Sequence, residues 1–589
     1  MGRIACDSDS LHIGGNLACR LSAGPQIEFH RDRGSFTVFP EFSSFIDRHR
    51  TCLRGSVSFP ADSEQQLISS MSSPGVLARN AVANLVQPGI AWIVVLALPP
   101  LLVRTLDKSS YATWMLLLQI SAYITLLNAS VQTVIMHFVA RARSLRDDEY
   151  MARMLSSSGL VLLVTAAIAV VFIGITSLYL PVLFRSIPPA VVREASLAIL
   201  LIGCSLAVGH PFSVLAGVFG GYQRSEIPAV ASAIGRFSGA IGVGWAAYHR
   251  QGLIPMAIWT AAGNLLLPAA YVTFWLRWGK QKLFRISRVT GAAVREFLAF
   301  WSGLLVSQFC GLLISGLDLP IVAAFDFPAA AYYAVASTLA NILVVPQSAI
   351  MAAILPVISS LSAHASPQRL GLALVKVTRY GTAILILLSL PLLFGMSIFL
   401  HLWVGSNYEV HALPFGIVLV LAVLLRASMR PYSQACLSAG QQQRALISPI
   451  VEAAVNVGLS LWLVHRIGAL GVALGTLIGA VVGVLVHLTV SMHFTNAIRV
   501  DRVVLVSKGM LRPLLCAVPA VLFLVAVQRR NPPALVHAIA IVLGEIMAAV
   551  ALLLGNFDSQ ERVRFFELAR QFAKAMAGGS ASAIRDGAS

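Results

Sequence analysis

The feature that most constrains this chain is a series of apolar stretches, each about 20 residues long, that recur between residues 82 and 556. A helix of about 20 apolar residues crosses a bilayer core of roughly 30 Å. Inside hydrocarbon each backbone amide must be bonded within its own segment, so these stretches are predicted to be helices. We predict an all-α polytopic membrane protein with about fourteen transmembrane helices, near 82–103, 112–137, 158–184, 195–220, 228–248, 253–276, 298–324, 330–358, 380–404, 412–438, 446–465, 468–492, 503–528 and 534–555.

The charge pattern excludes a large soluble core and argues against a nucleic-acid surface. Charged residues make up 12% of the chain, against about 25% in soluble globular proteins. The net charge is +18, but lysines and arginines concentrate on alternate predicted loops, nineteen on one set against eight on the other. The positive-inside rule places the richer set in the cytoplasm. We therefore predict cytoplasmic termini and no nucleic-acid partner.

Motifs for cofactor or metal chemistry are absent from the sequence. The seven cysteines form no CxxC pair and no Cys/His cluster with zinc spacing. There is no P-loop and no glycine-rich nucleotide fingerprint. The predicted loops on the side opposite the termini are short, which disfavours a catalytic external domain. We predict no cofactor, no metal site and no enzymatic activity.

The first 77 residues differ from the rest of the chain. Residues 1–77 are polar and contain no secretory apolar core. Met71 begins MSSPGVLARN, a short basic leader directly before the first predicted crossing. Two interpretations remain open: the natural start is Met71 and the upstream stretch is a misassigned extension, or residues 1–77 are a disordered cytoplasmic tail.

Three segments of the chain are repeated in order. HPFSVLAGVFGGYQR at 210–224 matches RPYSQACLSAGQQQR at 430–444 at proline, serine, glycine, glutamine and arginine. GLIPMAIWTAAG at 252–263 matches GALGVALGTLIG at 468–479 at glycine, alanine, threonine and glycine. Upstream, VRTLDKSSYATW resembles VAAFDFPAAAYYAV, with Asp107 opposite Asp326. Matches at nearly one spacing indicate a duplication whose copies run in the same direction through the membrane, as in one class of secondary transporters.

The repeat predicts the domain organisation. We assign residues 78–295 to an N-terminal six-helix bundle and residues 296–500 to a C-terminal one, related by a pseudo-two-fold axis along the membrane normal. Residues 501–556 supply helices thirteen and fourteen, which lie outside the repeat. Residues 557–589 form a cytoplasmic tail.

Ionisable side chains inside the predicted helices are the candidate site residues, because such groups usually face a cavity or a partner. The repeat places His210 opposite Arg430, and Arg236 opposite Asn456, so we predict a polar, net-positive chamber between the bundles. Guanidinium groups suit phosphate oxygens because they donate two parallel hydrogen bonds. The predicted cavity residues are Arg426, Arg430, Arg236, His210 and Asn456, the residues assigned to coupling or structural pairing are Asp318 and Glu452, and the predicted helix gates are Pro211 and Pro431.

Several of these residues have a second interpretation. Arg430 lies near enough to a helix end to extend to the interface. Arg236 is placed to pair with Glu452 as an internal strut. Asp318 lies late in its helix, where it can meet water, and His210 fits a hydrogen-bonded core histidine. Arg426 is the strongest single candidate, because it is deep in the helix and four residues from Arg430.

Three longer segments carry a family resemblance. LPPLLVRTLDKSSYATWMLLLQI, GLDLPIVAAFDFPAAAYYAVASTLA and NVGLSLWLVHRIGALGVALGTLIG resemble the polysaccharide and O-antigen flippases of the multidrug, oligosaccharidyl-lipid and polysaccharide exporter superfamily. The resemblance covers roughly residues 72–500. It implies two six-helix bundles around a central cavity. Fourteen helices resemble the lipid II flippases, whose extra pair forms a groove for the lipid tail.

The resemblance also implies a function. We expect a flippase of the bacterial inner membrane that moves an undecaprenyl-pyrophosphate-linked oligosaccharide by alternating access, with membrane lipid and a polysaccharide polymerase as candidate partners. One alternative is a cation-coupled multidrug exporter of the same superfamily, for which acidic residues are expected in the first bundle's cavity. Another is a membrane-embedded polysaccharide polymerase or ligase. The saccharide and the driving force, whether proton, sodium or no gradient, stay open.

Overall fold

The computed structural model describes residues 93–278, 285–344, 346–347, 366–439, 441–496 and 498–563, together with 567 and 570. The predicted tail 1–77 and the alternative start at Met71 lie outside these residues. The described residues form helices joined by short turns, without a β-strand among them. Twelve of these helices are long and apolar enough to cross a membrane. The predicted all-α polytopic class is therefore confirmed.

The helices are numbered here in chain order. α7, α10 and α11 each include a short interruption, and α4 contains a 3₁₀ turn. They are α1 Ile93–Thr105, α2 Lys108–Leu145, α3 Asp148–Leu183, α4 Pro189–Gly221, α5 Glu226–Tyr248, α6 Leu253–Trp278, α7 Gly291–Phe325, α8 Phe327–Asn341, α9 Pro367–Val404, α10 Ser406–Leu437, α11 Gln443–Ile467, α12 Ala469–Phe494, α13 Arg502–Gln528 and α14 Ala534–Gly555. α1 and α8 adjoin residues outside the description, so the count of fourteen crossings stays a prediction.

The same helix pairings occur twice. In the first six helices α2 packs on α4, α3 on α4, α4 on α6, and α5 on α6. In the next six, α8 packs on α10, α9 on α10, α10 on α12, and α11 on α12. A shift of six helices converts one set of pairs into the other. This is the arrangement that a duplicated bundle requires, although the boundaries 78–295 and 296–500 remain a proposal.

Two glycine turns also match across the repeat. Gly252 precedes α6 with φ +90°, and Gly468 precedes α12 with φ +63°, a backbone region that favours glycine. After each turn a backbone N–H donates to a carboxylate: Leu253 to Glu194 at 3.0 Å, and Ala469 to Asp326 at 2.9 Å. A negative charge at a helix N-terminus is favourable. Glu194 and Asp326 thus make the same kind of bond at the two turns. In the repeat Asp326 still corresponds to Asp107, because each precedes the second helix of its set, and Asp107 accepts from the Ser110 N–H of its own helix.

α13 and α14 pack on each other and on α9. Small and branched side chains of α9, such as Ala383 and Leu390, form one buried cluster with Ala520 and Ala548. Beyond α14, the chain returns to α9. These contacts make α9 the attachment point of the added pair.

A charged cluster holds the segment after α14 against α9. Both oxygens of Glu561 accept from Arg379 Nη2, at 2.7 and 2.6 Å. Phe557 stacks on Tyr380 with ring centroids 5.2 Å apart. Burial raises the pKa of the Glu561 carboxyl, but hydrogen bonds from Tyr380 and the Asp558 backbone, together with the Arg379 charge, lower it more, so the pKa lies below its ordinary value. The segment 557–563 is thus attached by an ionised carboxylate.

Glu561→Gln should release residues 557–563 from α9. Because folding lowers the pKa of Glu561, its stabilisation is present above the ordinary carboxyl pKa and is lost as the pH falls through the folded value. Hydrogen exchange of this segment, corrected for intrinsic rates, should be faster in the variant at neutral pH and equal to wild type in acid. Glu567→Gln, an exposed carboxylate nearby, is the control. Equal exchange in both variants at neutral pH would exclude the ion pair as the attachment.

Candidate functional site

The site is built around an interruption in α7. The first part of the helix ends at Ser315, Gly316 and Leu317 are not helical, and the second part begins at Asp318. The Ile314 carbonyl beside the interruption accepts from Asn456 Nδ2 of α11 at 2.6 Å. The predicted coupling residue Asp318 therefore follows a segment of α7 whose backbone is bonded by a side chain of another helix in addition to its own backbone hydrogen bonds.

Asp318 is buried and bonded to two other helices. Only 7% of the residue is exposed, so the alternative that it simply meets water is wrong. Its Oδ2 accepts from the Tyr333 hydroxyl of α8 at 3.2 Å and from the Thr476 hydroxyl of α12 at 3.0 Å. The carboxylate thus joins three helices of the predicted C-terminal bundle.

Asp318 belongs to a hydrogen-bonded group of polar side chains from several helices. The Thr476 hydroxyl lies 3.0 Å from Asp318 Oδ2, 3.3 Å from Asn456 Oδ1 and 3.1 Å from the Val472 carbonyl. A hydroxyl donates one proton, so it satisfies one acceptor at a time. Ser460 supplies a second donor to the Asn456 oxygen at 3.0 Å. The Asp318 carboxylate, the Asn456 amide and the Thr476 and Ser460 hydroxyls therefore form one polar group between α7, α11 and α12.

Arg426 pairs with Glu452. Its Nε donates to Glu452 Oε1 at 2.7 Å, with side-chain exposures of 23% and 7%. The alternative that Glu452 pairs with Arg236 is therefore wrong. Arg426 Nη2 is buried and makes no hydrogen bond within the described part of the chain. Glu452 therefore balances the charge of Arg426, while the Nη2 group of Arg426 keeps N–H donors that no described residue accepts.

A glycine stripe on α12 makes room for these polar groups. A Cβ added to Gly483 would lie 2.6 Å from Glu452 Oε2, and one added to Gly479 would lie 2.9 Å from Asn456 Cβ. One added to Gly475 would lie 2.5 Å from Ser460 Oγ. Small residues at every fourth position let membrane helices approach closely. The α11 side chains at 452, 456 and 460 therefore lie over the α12 glycines.

A cavity of about 210 Å³ opens beside this cluster. Its lining includes Asp318, Arg426, Arg430 and Thr476, and comes from α7, α8, α10, α12 and the residues after α8. The sequence predicts a chamber between the two bundles; this cavity lies instead within the second set of helices. Pockets for drug-sized ligands occupy roughly 300–1,000 Å³. The cavity, as bounded by the described residues, is smaller than that range.

Two predicted cavity residues lie elsewhere. His210 is fully buried, and its Nε2 is 3.1 Å from the Thr165 hydroxyl of α3, as expected for a hydrogen-bonded core histidine. Arg236 is exposed on α5 next to the exposed Phe237. The structure does not bring either residue to the lining of this cavity. Arg426, Arg430 and Asp318 do line it, and Asn456 contacts it through Thr476.

The pairing of Arg236 with Asn456 is corrected by the glycine contacts. A Cβ on Gly263 would lie 3.0 Å from Gly239 Cα, whereas one on the matching Gly479 would lie 3.3 Å from Asn456 Cα. Asn456 is thus the counterpart of Gly239. The shift of 220 residues that aligns α4 with α10 does not hold for α5 and α11, because the connecting segments differ in length.

Both predicted gate prolines lie at helix interruptions. Pro211 lies in the 3₁₀ turn His210–Phe212 of α4. Pro431 follows the interruption of α10 at Met429, between Ser428 and Arg430. A proline removes one backbone hydrogen bond, which allows a bend. Motion at these points remains a prediction.

Thr476 and Tyr333 are site residues that the sequence analysis did not select. Thr476 is part of the repeated GALGVALGTLIG segment, opposite Thr260, so the repeat marks the position without showing its partner. Tyr333 is one of two adjacent tyrosines in α8 and gives no local signal. Both are identified only by their contact with Asp318.

Comparison with solved structures identifies the fold. No family model matches the chain, and no curated protein matches it. The lipid II flippase MurJ in an inward closed conformation aligns with a TM-score of 0.60 and 13% identity, over 81% of this chain and 98% of MurJ. An inward-facing multidrug resistance MATE family transporter of the MOP superfamily aligns with a TM-score of 0.55 and 17% identity, over 67% and 93%. A MATE crystal structure in complex with MaD3S gives 0.50 and 17%, over 70% and 93%. The chain has the fold of MOP-superfamily transporters.

The Arg426–Glu452 pair can be measured by a double-mutant cycle. Arg426→Gln and Glu452→Gln should each lower unfolding stability by about 2–3 kcal/mol, because each leaves a buried charge without its partner. The double variant should lose about 1–3 kcal/mol less than the sum. Denaturant unfolding in detergent, with the exposed Arg236→Gln as control, tests this. Additive losses would show that the two side chains are energetically independent.

Proposed function

We propose that the chain is a flippase that exports a lipid-linked oligosaccharide carrying a pyrophosphate. The observation that carries this proposal is the membrane-embedded cavity lined by Arg426 and Arg430. Guanidinium groups bind phosphate oxygens through paired, charge-assisted hydrogen bonds. The small cavity suits the headgroup, while the saccharide and lipid tail extend away from it. Placement in a bacterial inner membrane, cytoplasmic termini and a polysaccharide polymerase partner belong to the same proposal.

The fold is compatible with two kinds of cargo. Structures of similar fold include a lipid II flippase and multidrug transporters, which supports transport over an enzymatic function. A multidrug exporter is the second candidate, because Asp318 offers a carboxylate to a cationic drug. Asp318 is already bonded to Tyr333 and Thr476, whereas Arg426 Nη2 has no hydrogen-bond partner among the described residues. This difference favours an anionic cargo.

We further propose that Asp318 is the coupling group. It is an ionisable residue buried among the membrane helices, a position typical of proton and ion pathways in transporters. The headgroup then binds at the arginines while the ion binds at the carboxylate. Transport driven by an ion gradient requires the ion and the headgroup to bind and leave in the same transport cycle, so that occupancy of one site affects the other.

Arg430→Ala should reduce export at least about tenfold, which corresponds to the loss of one charge-assisted hydrogen bond of about 1.5–3 kcal/mol. Arg430 is chosen instead of Arg426 because removal of Arg426 leaves Glu452 without its ion-pair partner. The assay measures the appearance of undecaprenyl-pyrophosphate-linked saccharide in the opposite leaflet of proteoliposomes. Arg430→Lys keeps the charge and should retain part of the activity, and Arg236→Gln is the matched control. Transport of a cationic dye instead, unaffected by Arg430→Ala, would favour the multidrug exporter.

Asp318→Asn should remove the dependence of transport on an ion gradient. The amide cannot take up a proton and holds a cation weakly, so an imposed proton or sodium gradient should no longer accelerate transport. In the wild type the gradient should accelerate transport at least about tenfold, the factor that corresponds to a free-energy difference of about 1.4 kcal/mol. Glu545→Gln, another carboxylate within a membrane helix but outside the cavity, should keep the response. A gradient response in Asp318→Asn equal to wild type would exclude Asp318 as the coupling group.

A further inference from the structure

The Gly316 carbonyl in α7 accepts two hydrogen bonds from α2. The Tyr123 hydroxyl donates to it at 2.7 Å, and Gln119 Nε2 donates at 3.3 Å. Residues 119 and 123 are four apart, so they lie on one face of α2. In the proposed organisation α2 belongs to the first bundle and α7 opens the second. These bonds therefore connect the two bundles at the interruption in α7.

The second bundle holds the same interruption from its other side. Asn456 of α11 bonds the Ile314 carbonyl at 2.6 Å, two residues before Gly316. Two residues after it, Asp318 is bonded to Tyr333 of α8 and Thr476 of α12. Within five residues α7 thus bonds α2 of the first bundle and α8, α11 and α12 of the second. A change in the partners of Asp318 cannot turn this segment without moving the Gly316 carbonyl.

The contact with Tyr123 is close. A Cβ on Gly316 would lie 3.3 Å from Tyr123 Cε1 and 2.7 Å from the Leu312 carbonyl. Glycine therefore permits the tyrosine ring to lie against the backbone of α7. Hydrogen bonds between side chain and backbone are directional and weaken steeply when bent. The Tyr123 bond is sensitive to a small rotation of the Gly316 peptide.

The bundles also meet at one end of the molecule. Trp403 Nε1 of α9 donates to the Leu96 carbonyl of α1 at 2.7 Å, and Lys108 of α2 lies 4.0 Å from the ring centroid of Tyr332 of α8. This end includes the glycine turns at 252 and 468. Its opening or closing is the motion that an alternating-access cycle needs, and it can be followed by the distance between these turns.

We propose that Tyr123, assisted by Gln119, is the positioning residue that transmits the state of Asp318 to the first bundle. The inference rests on the proposed coupling role of Asp318. When the carboxylate is neutralised, its bonds to Tyr333 and Thr476 change, the 314–318 segment turns, and α2 follows through the Gly316 carbonyl. Tyr123 does not contact the cargo; it determines whether the first bundle responds.

The test measures the distance between the bundles. Spin labels at Gln251→Cys and Arg466→Cys, in a background without the native cysteines, report the separation of the two glycine turns by electron–electron double resonance. Asp318→Asn represents the neutral carboxylate and should shift the distance distribution. With Tyr123→Phe, and more completely with Gln119→Leu/Tyr123→Phe, that shift should fall to less than half. Tyr111→Phe is the matched control, since the buried Tyr111 hydroxyl on α2 has no hydrogen-bond partner among the described residues.

The outcomes separate this inference from the proposed function. A full Asp318→Asn shift in the Tyr123→Phe background would overturn the role of Tyr123 and leave the coupling role of Asp318 intact. No shift in the Tyr123-intact background would contradict the coupling role itself, and the inference with it. Unfolding of a variant is recognised by loss of its monodisperse elution in detergent; Gln119→Leu alone, which keeps the shorter bond, then supplies the measurement and should give a partial loss of the shift.

Discussion

A charged side chain in hydrocarbon must find its partner inside the protein, and the centre of this structure follows from that requirement. Arg426 bonds Glu452, and Asp318 bonds Tyr333 and Thr476. Each of these bonds crosses from one helix to another, so the polar groups also fix how α7, α8, α10, α11 and α12 pack. Apolar contact between helices contributes little to their association in lipid, because the lipid tails are equally apolar. Association depends instead on close packing and on hydrogen bonds between helices. The glycines of α12 permit that packing, because the Glu452 carboxylate occupies the space above Gly483.

The sequence alone predicts the fold class well, since apolar length and the alternation of basic loops are local properties. It also selects Asp318, Arg426 and Arg430, which line the cavity, because an ionisable residue within an apolar helix is easily recognised in a sequence. It does not predict their partners. Glu452 is 26 residues from Arg426, and Thr476 is 158 residues from Asp318. Such contacts depend on helix rotation and on the register between helices.

The misplacement of Arg236 has a physical cause. Aligning the two halves of the sequence with a constant shift of 220 residues pairs Arg236 with Asn456. The halves have the same helix pairings, but the segments between helices differ in length, so a shift taken from α4 and α10 places Arg236 three residues from the true counterpart of Asn456, Gly239. On a helix three residues move a side chain by about 4.5 Å along the axis and by about 60° around it. A polar residue assigned to the cavity by this alignment is therefore displaced by nearly one helical turn.

The charges of the cavity connect the two proposed binding events. With both carboxylates ionised, Arg426 and Arg430 are balanced by Glu452 and Asp318, and the four side chains carry no net charge. Uptake of a proton or a monovalent cation at Asp318 leaves one positive charge in a poorly solvated space, and an anionic headgroup then gains affinity. By linkage the headgroup must increase the affinity for the ion by the same factor. A cationic drug competes with the ion for the carboxylate, whereas a pyrophosphate cooperates with it. The sign of that coupling, rather than the identity of the fold, distinguishes a lipid-linked saccharide flippase from a drug exporter built on the same helices.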